Sequence, residues 1–488
     1  MIGRVREWLS EKLAGDSDPE LEAELPFMAM MITLMASSGI TPYESFKRLR
    51  TVDILNRSKA EAEEIVRQVE ILGNDPLTAM EKRAAETRSR SYAEFLEGYI
   101  SSVKSGGSVV NYLTSKLRGI FDMRAAKARH AVERLETLVE TYMIMLIVIF
   151  CFYILSTVTS ATSMGVVATG FPDTSALVLP LILFVIPLFS LFFMYVANNI
   201  RPSTLRGMRA PYIRGLVPGV GFAAFIAALA FIPSLSFIEE LVGLPLIVAV
   251  GLIAISISPA LTYHRIARRN FSAENAMPSF LRDVTEARRT GLSPEKSIVH
   301  AASRRGYGPF TEDLRRMVNQ IEWGVSLRNI YGDLEKWILS WPVVVDFFIL
   351  VETIEVGGGD ADILGLLAEY SEKTHTVKKS LRDMLKPYIV LPFVWSILIV
   401  FTVTFTFQTM SLVQLPFREG EFIVSSSAVI VEAGIIFHCW LSGFFIGKVS
   451  EENFASGFKY AAMLAATAYI TFVLSQRFVT NLYGGLIS

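Results

Sequence analysis

A stretch of this sequence occurs twice, 252 positions apart, and whatever the first occurrence folds into the second must fold into as well. Pro26 is followed thirteen residues later by Gly39, then Ile40, Thr41, Pro42 and Ser45; Pro278 is followed at the same spacing by Gly291, Leu292, Ser293, Pro294 and Ser297. The same offset carries Phe95 onto Phe347, and Gly106 and Gly107 onto Gly358 and Gly359. Helix punctuation is common, but one ungapped shift that aligns two landmarks about 70 residues apart is the mark of an internal repeat.

Each piece has a local physical reason. A proline in the first turn opens a helix without losing a needed hydrogen bond, so Pro26 and Pro278 are expected to start helices. Gly39 and Gly291 can take the left-handed conformation that ends them, and Thr41-Pro42 or Ser293-Pro294 is an N-cap followed by proline at the first helical position. The reading is helix, tight turn, helix. Glu44, three residues after Thr41, completes a capping box in copy one; Lys296 stands there in copy two and leaves only the simpler cap.

The 488 residues are 52% hydrophobic with a mean hydropathy of +0.42 and a formal net charge of −1, which excludes an ordinary soluble enzyme and a nucleic-acid binder. Long blocks almost free of charge alternate with blocks dense in Lys, Arg, Asp and Glu, the pattern of membrane spans joined to water-exposed domains. The fold class predicted is an all-α polytopic membrane protein, with about seven transmembrane helices and two repeated cytoplasmic helical-bundle domains. Cys151 and Cys439 each lie inside an apolar run and supply no disulfide framework or metal site.

In chain order, residues 1–23 read as an N-terminal amphipathic segment, 24–137 as the first helical domain, 138–262 as four spans, 263–387 as the second helical domain and 388–488 as three further spans. The spans fall at about 138–157, 175–197, 217–238, 242–261, 388–407, 427–446 and 460–474. The pair within 217–261 has a connection, around Glu239 and Glu240, short enough that a re-entrant hairpin is the alternative. Four spans between the copies put both domains on one side. With that side inside, only Arg418 and Arg477 of the 46 basic residues lie outside, so the N-terminus is expected in the cytoplasm and the C-terminus outside the cell membrane.

Chemistry is sparse. The nearest run to a phosphate-binding loop, Gly443 through Gly447, Lys448, Val449 and Ser450, has the wrong spacing and the wrong last residue. No H-E-x-x-H or C-x-x-C occurs, so no catalytic residue, metal or cofactor is expected. Glu432 and His438 lie deep in the sixth span, where an ionisable group is a functional candidate by default. Six residues of helix put them roughly 120° apart, so they do not converge on one ligand, and a hydrogen-bonded structural role within the bundle is the alternative.

Two helical domains with P-x12-G-[IL]-[ST]-P-x-x-S and a later Gly-Gly turn, each running into membrane spans, resemble the F-domain family of type II secretion and type IV filament systems. Four spans, a domain and three spans is similar to the archaeal branch, with its archaellum and pilus platform proteins. The run Glu355-Val356-Gly357-Gly358-Gly359 is close to the family's Glu and Gly-rich form, whereas Val103 to Gly107 lacks the Glu. The resemblance implies a non-enzymatic platform in the lipid bilayer that couples a hexameric cytoplasmic ATPase to insertion of pilin-like subunits into a filament, and it allows a homodimer. The rival reading, a secondary transporter or channel, calls for inverted repeats and polar, broken helices at mid-membrane.

The copies also differ in an informative way. The first helix of copy one carries Met28, Met30, Met31 and Met35 with almost no polar face, so it should be covered by another element. Copy two has Phe280, Arg282, Asp283 and Ala287 at those sites, then Arg288 and Arg289. Arg282, Arg288 and Arg289, with Glu355, are candidates for contact with the ATPase. An intrahelical ion ladder through Glu286 is the competing account of the arginines.

Overall fold

The computed structural model describes the chain apart from residues 1–17, 164–179, 181–183, 202, 204, 206–207, 233–241, 358, 415–422 and 488. Outside the described residues therefore lie most of the expected N-terminal segment, part of the second span, the Glu239-Glu240 connection, Gly358 and Arg418. Copy one comprises α1 (Pro19–Ser37), α2 (Pro42–Leu49), α3 (Asn56–Glu70), α4 (Pro76–Glu86), α5 (Arg90–Lys104) and the start of α6 (Val109–Ser163). Then come α7 (Ile186–Ile200), α8 (Ala210–Phe231) and α9 (Leu244–Arg289), the end of which opens copy two. Copy two continues with α10 (Pro294–Ala302), α11 (Phe310–Glu322), α12 (Leu327–Trp337), α13 (Trp341–Gly357) and α14 (Ala361–Leu385). The chain closes with α15 (Pro387–Gln414), α16 (Ile423–Glu451) and α17 (Gly457–Ile487), and the described residues contain no strand.

The helices fall into two compact units, one of Met1–Ala128 with Arg269–Lys378 and one of Arg129–Arg268 with Lys379–Ser488. In the first unit both copies pack as one body. The offset of 252 holds for the ends of α1 and α9, the starts of α2 and α10, the ends of α3 and α11 and the starts of α6 and α14. Between them it slips to 251: α4 matches α12 by that shift, as do the positive-φ glycines Gly73 and Gly324. Copy two has one residue fewer in that turn, and regains it before α14.

Pro26 and Pro278 do not open helices. Asp18 accepts the Leu21 N–H at 3.1 Å and Pro19 takes the first turn, so α1 is already under way when it reaches Pro26. Pro278 lies inside α9, which enters copy two as a continuous helix and has no start to make there. The glycine stops are as read: φ is +82° at Gly39 and +87° at Gly291. Thr41 accepts the Glu44 N–H at 3.3 Å and Ser293 accepts the Lys296 N–H at 3.4 Å, so both copies use the same single cap. The reciprocal half of a capping box is not formed in copy one among the described residues.

The Met-rich α1 is the centre of the unit. Met28, Met30, Met31 and Met35 are buried, and α1 lies against α2, α3 and α5 of its own copy and α13 of the other. Phe27 meets Trp341 edge to face at 4.6 Å, and Phe121 stacks on Tyr370 at 4.6 Å, so aromatic contacts join the copies. Burying each large apolar side chain is worth about 1.5–3 kcal/mol, and copy one removed from copy two would expose α1 and α13 together.

Among the described residues, six helical stretches are long and apolar enough to cross a membrane: Val109–Phe152, Ala210–Leu229, Leu244–Arg289, Ala361–Thr409, Val429–Glu451 and Phe454–Leu482, the first, third and fourth of them shared between the two units. The expected second span falls on α7, a shorter apolar helix. The run that resembled a phosphate loop is a packing device. A Cβ on Gly443 would collide with the Ala461 backbone and one on Gly447 with the Gly457 backbone, so α16 and α17 approach closely through these glycines.

Candidate functional site

The two landmarks of copy two, 71 residues apart in sequence, touch. Arg288 donates from Nε to the Gly359 carbonyl at 2.7 Å and from its other guanidinium arm to the Leu292 carbonyl. Gly359 has φ +64°, and a Cβ on it would stand 3.0 Å from Ile354 and 3.7 Å from Pro294. The helix–turn–helix and the glycine turn are thus one cluster, held by a side chain whose five donors suit adjacent carbonyls. Ser297 is fully buried and returns its hydroxyl to the Ser293 carbonyl at 2.9 Å, as Ser45 does to Thr41 at 3.2 Å in copy one. That is the physical reason for the serine that ends the motif.

Copy one lacks the tie. Ala36 occupies the site equivalent to Arg288, and Gly106, with φ +67°, ends α5 without it. The other candidates in copy two are spread over its surface. Arg282 pairs with Glu372 of α14, and Arg289 pairs with Glu286 at 3.2 Å along its own helix. Glu355 lies 3.6 Å from Arg328, which also binds the buried Glu352. Of the four, Arg282 and Arg289 keep side chains more than half exposed, at 59% and 54%.

In the second unit Glu432 and His438 are both buried on α16. Glu432 makes no hydrogen bond or ion pair among the described residues. His438 Nε2 stands 3.5 Å from Ser442 Oγ, which is 2.9 Å from the Tyr142 hydroxyl, itself 3.0 Å from Ser190 Oγ. This chain links α6, α7 and α16. Sequence reading singled out the histidine and passed over Tyr142, Ser190 and Ser442, since one hydroxyl in an apolar run carries no spacing signal. Near the turn from α16 to α17, Arg201 pairs with Glu452 at 2.6 Å, while Glu451 accepts from Tyr263 at 2.8 Å and Tyr460 at 3.2 Å. These bonds fasten the link after α7 and the middle of α9 to the hairpin.

Among the described residues no group of His, Cys, Asp or Glu is arranged to hold a metal ion. The geometry offers two joined helical copies with a built turn cluster on one, and an apolar bundle with a buried polar chain. The profile of the family described as type II secretion system (T2SS), protein F, matches residues 27–157 and 280–407, one copy and part of its following apolar helix each time. An uncharacterized protein of Methanocaldococcus jannaschii is 23% identical over 490 residues, covering 94% of this chain and 80% of that protein. No solved structure matches. The family consists of platform proteins of secretion- and pilus-type machines, multi-pass in the cytoplasmic membrane. With the two matches covering more than half of its length, the chain belongs to the type II secretion system protein F family.

Proposed function

We propose that this protein is the membrane platform of a type IV filament machine, an archaellum or a pilus, which couples a hexameric cytoplasmic ATPase to the insertion of pilin-like subunits. The observation that carries the reading is the fusion of the two copies, from separate stretches of chain, into one unit around α1, with α6, α9 and α14 each contributing residues to both units. A body of that kind is suited to receive force as a whole, and helices continuous with it are suited to pass that force to the bundle. Both copies and the N-terminus are placed in the cytoplasm and the C-terminus outside, on the distribution of basic residues. Arg282 and Arg289 remain proposed ATPase contacts; Arg288 and Glu355 are engaged within copy two.

The test is co-reconstitution in bilayers with a hexameric secretion-type ATPase from the same organism. The platform should raise the turnover of the ATPase and show none alone. Turnover by the isolated protein that survives removal of contaminating ATPases would overturn the reading, as would an ATPase indifferent to the platform.

A further inference from the structure

The two copies make an internal experiment on one surface. In copy one, the end of α3 is sealed against α2: Lys47 pairs with Glu70 at 3.0 Å, Arg50 reaches the same carboxylate at 3.6 Å, and the Lys47 ammonium sits 5.6 Å from the Tyr43 ring. At the equivalent places copy two has Val299 for Lys47, Glu322 for Glu70 and Glu295 for Tyr43. The seal is gone. A groove of about 530 Å³ opens between α10 and the end of α11, with Leu292, Val299 and Ile321 in its wall, Glu295 and Glu322 on its rim, and Lys296, His300 and Ser303 completing its lining, so its carboxylates outnumber its one lysine. Neither carboxylate has a partner among the described residues. The next residue, Trp323, is 83% exposed, and it aligns with Ile71, itself 75% exposed.

We infer that this groove of copy two is a docking site for a basic amphipathic segment of a cytoplasmic protein, an apolar face carrying a Lys or Arg that takes the place of Lys47. The inference rests on the reading of the first unit as a partner-receiving body. Copy one shows what satisfies the site: a cation that lies beside an aromatic ring and on the carboxylate at the end of the helix. A glutamate and a neighbouring tryptophan left open together match a partner's charge and apolar face at once, and an exposed tryptophan is the residue type that most often anchors such contacts. An anionic membrane surface is the poorer occupant, because Glu295 and Glu322 would be repelled by it.

The probe is a fluorescein-labelled amphipathic Leu–Lys helix of fourteen residues, with a Leu–Glu helix of the same pattern as control, titrated against the full-length protein in uncharged detergent. The expected result is one saturable site for the Leu–Lys peptide. Affinity should fall about tenfold or more in Val299→Lys, which rebuilds the seal of copy one, and in Glu322→Lys. Lys47→Val together with Arg50→Ala, the residue types that copy two carries at Val299 and Ala302, should open the sealed groove and raise the stoichiometry from one peptide to two. Should Val299→Lys not fold, Glu322→Lys and Trp323→Ala carry the same test, with thermal unfolding as the check on folding. Equal binding of the Leu–Glu peptide, binding unchanged by these variants, or a signal matched by protein-free micelles overturns the inference. None of those results touches the coupling to the ATPase, which is read by turnover.

Discussion

Arg288 Nε donates to the Gly359 carbonyl oxygen at 2.7 Å, closing a loop of 71 residues within copy two. The second guanidinium arm binds the Leu292 carbonyl, so one side chain fixes both turns at once. Replacing Arg288 with Ala should destabilise the protein by about 1–3 kcal/mol, because two partly buried carbonyls lose a charged donor. Lys should recover little, since a single ammonium cannot span both carbonyls as a planar fork does. Arg289→Ala, with only an exposed pair to Glu286 to lose, should stay within about 0.5 kcal/mol. Thermal unfolding of the three purified variants decides it, and equal midpoints for Arg288→Ala and Arg289→Ala would sink the assignment.

Gly39 and Gly291 hold φ of +82° and +87°, and no atom lies within 4 Å of the place a Cβ would take, so the cost of a side chain there is that of the backbone conformation alone. Ala should cost about 1–2 kcal/mol and Val more, as a β-branched side chain in the left-handed region. Gly119 makes the contrast: it is helical, exposed and equally open, so Gly119→Ala should stabilise by about 0.5–1 kcal/mol. Folded yield and unfolding midpoints of these five variants give the ordering, and a Gly39→Val or Gly291→Val protein as stable as the parent contradicts it.

What the sequence displayed was mostly local. Gly39, Thr41-Pro42 and their partners in copy two set backbone conformation within a few residues, so helix, turn and helix could be read before any contact was known. Pro26 shows the limit of the same logic, because a proline can open a helix or sit within one, and the competing start at Asp18 and Pro19 decided between them. The burial of the Met-rich α1 was legible from its missing polar face, but not that α13 of the other copy would cover it. Arg288 looked like one of three surface cations; its commitment to Gly359 depends on a contact 71 residues away, which no local pattern encodes. The groove beside Glu322 emerged only from setting one copy's contacts against the other's.

Asp346 should make stability fall with rising pH. It is buried in α13, where Ser371 Oγ donates to it at 2.6 Å, and burial pushes its carboxyl up to about 7 from the ordinary 3.8. Its folded pKa is raised, so the neutral form is native: the contribution is fully present below about pH 4 and is lost as pH climbs from there to about 7, where the folded group ionises too. The full span corresponds to roughly 4 kcal/mol. Asp346→Asn keeps an oxygen for Ser371 and removes the titration, so its stability relative to the parent should grow between pH 4 and 7 and then level off. Unfolding midpoints across that range test it, and a gap between the two proteins that does not change with pH refutes the assignment.

Gly447 carries the last prediction. A Cβ there would meet the Gly457 backbone and Ser456 Oγ, and Ser456 also returns its hydroxyl to the Gly447 carbonyl at 2.8 Å, so the turn from α16 to α17 closes on this glycine from two sides. Backbone cannot yield as a flexible side chain can, so Gly447→Ala should cost about 1–3 kcal/mol by overpacking, with Gly443→Ala behaving alike against Ala461. Gly221 lies in α8 with open space where its Cβ would stand, and Gly221→Ala should leave folded yield unchanged. The neighbouring lysine completes the contrast with a nucleotide site. Lys448 Nζ donates to the Glu452 carbonyl at 2.9 Å and sits 5.3 Å from the Phe454 ring, within the hairpin itself. Lys448→Met should therefore lower thermal stability in the same direction as Gly447→Ala, and ATP should shift neither midpoint. Stabilisation of the parent by ATP, lost in Lys448→Met, would show a phosphate site where this geometry places a helix joint.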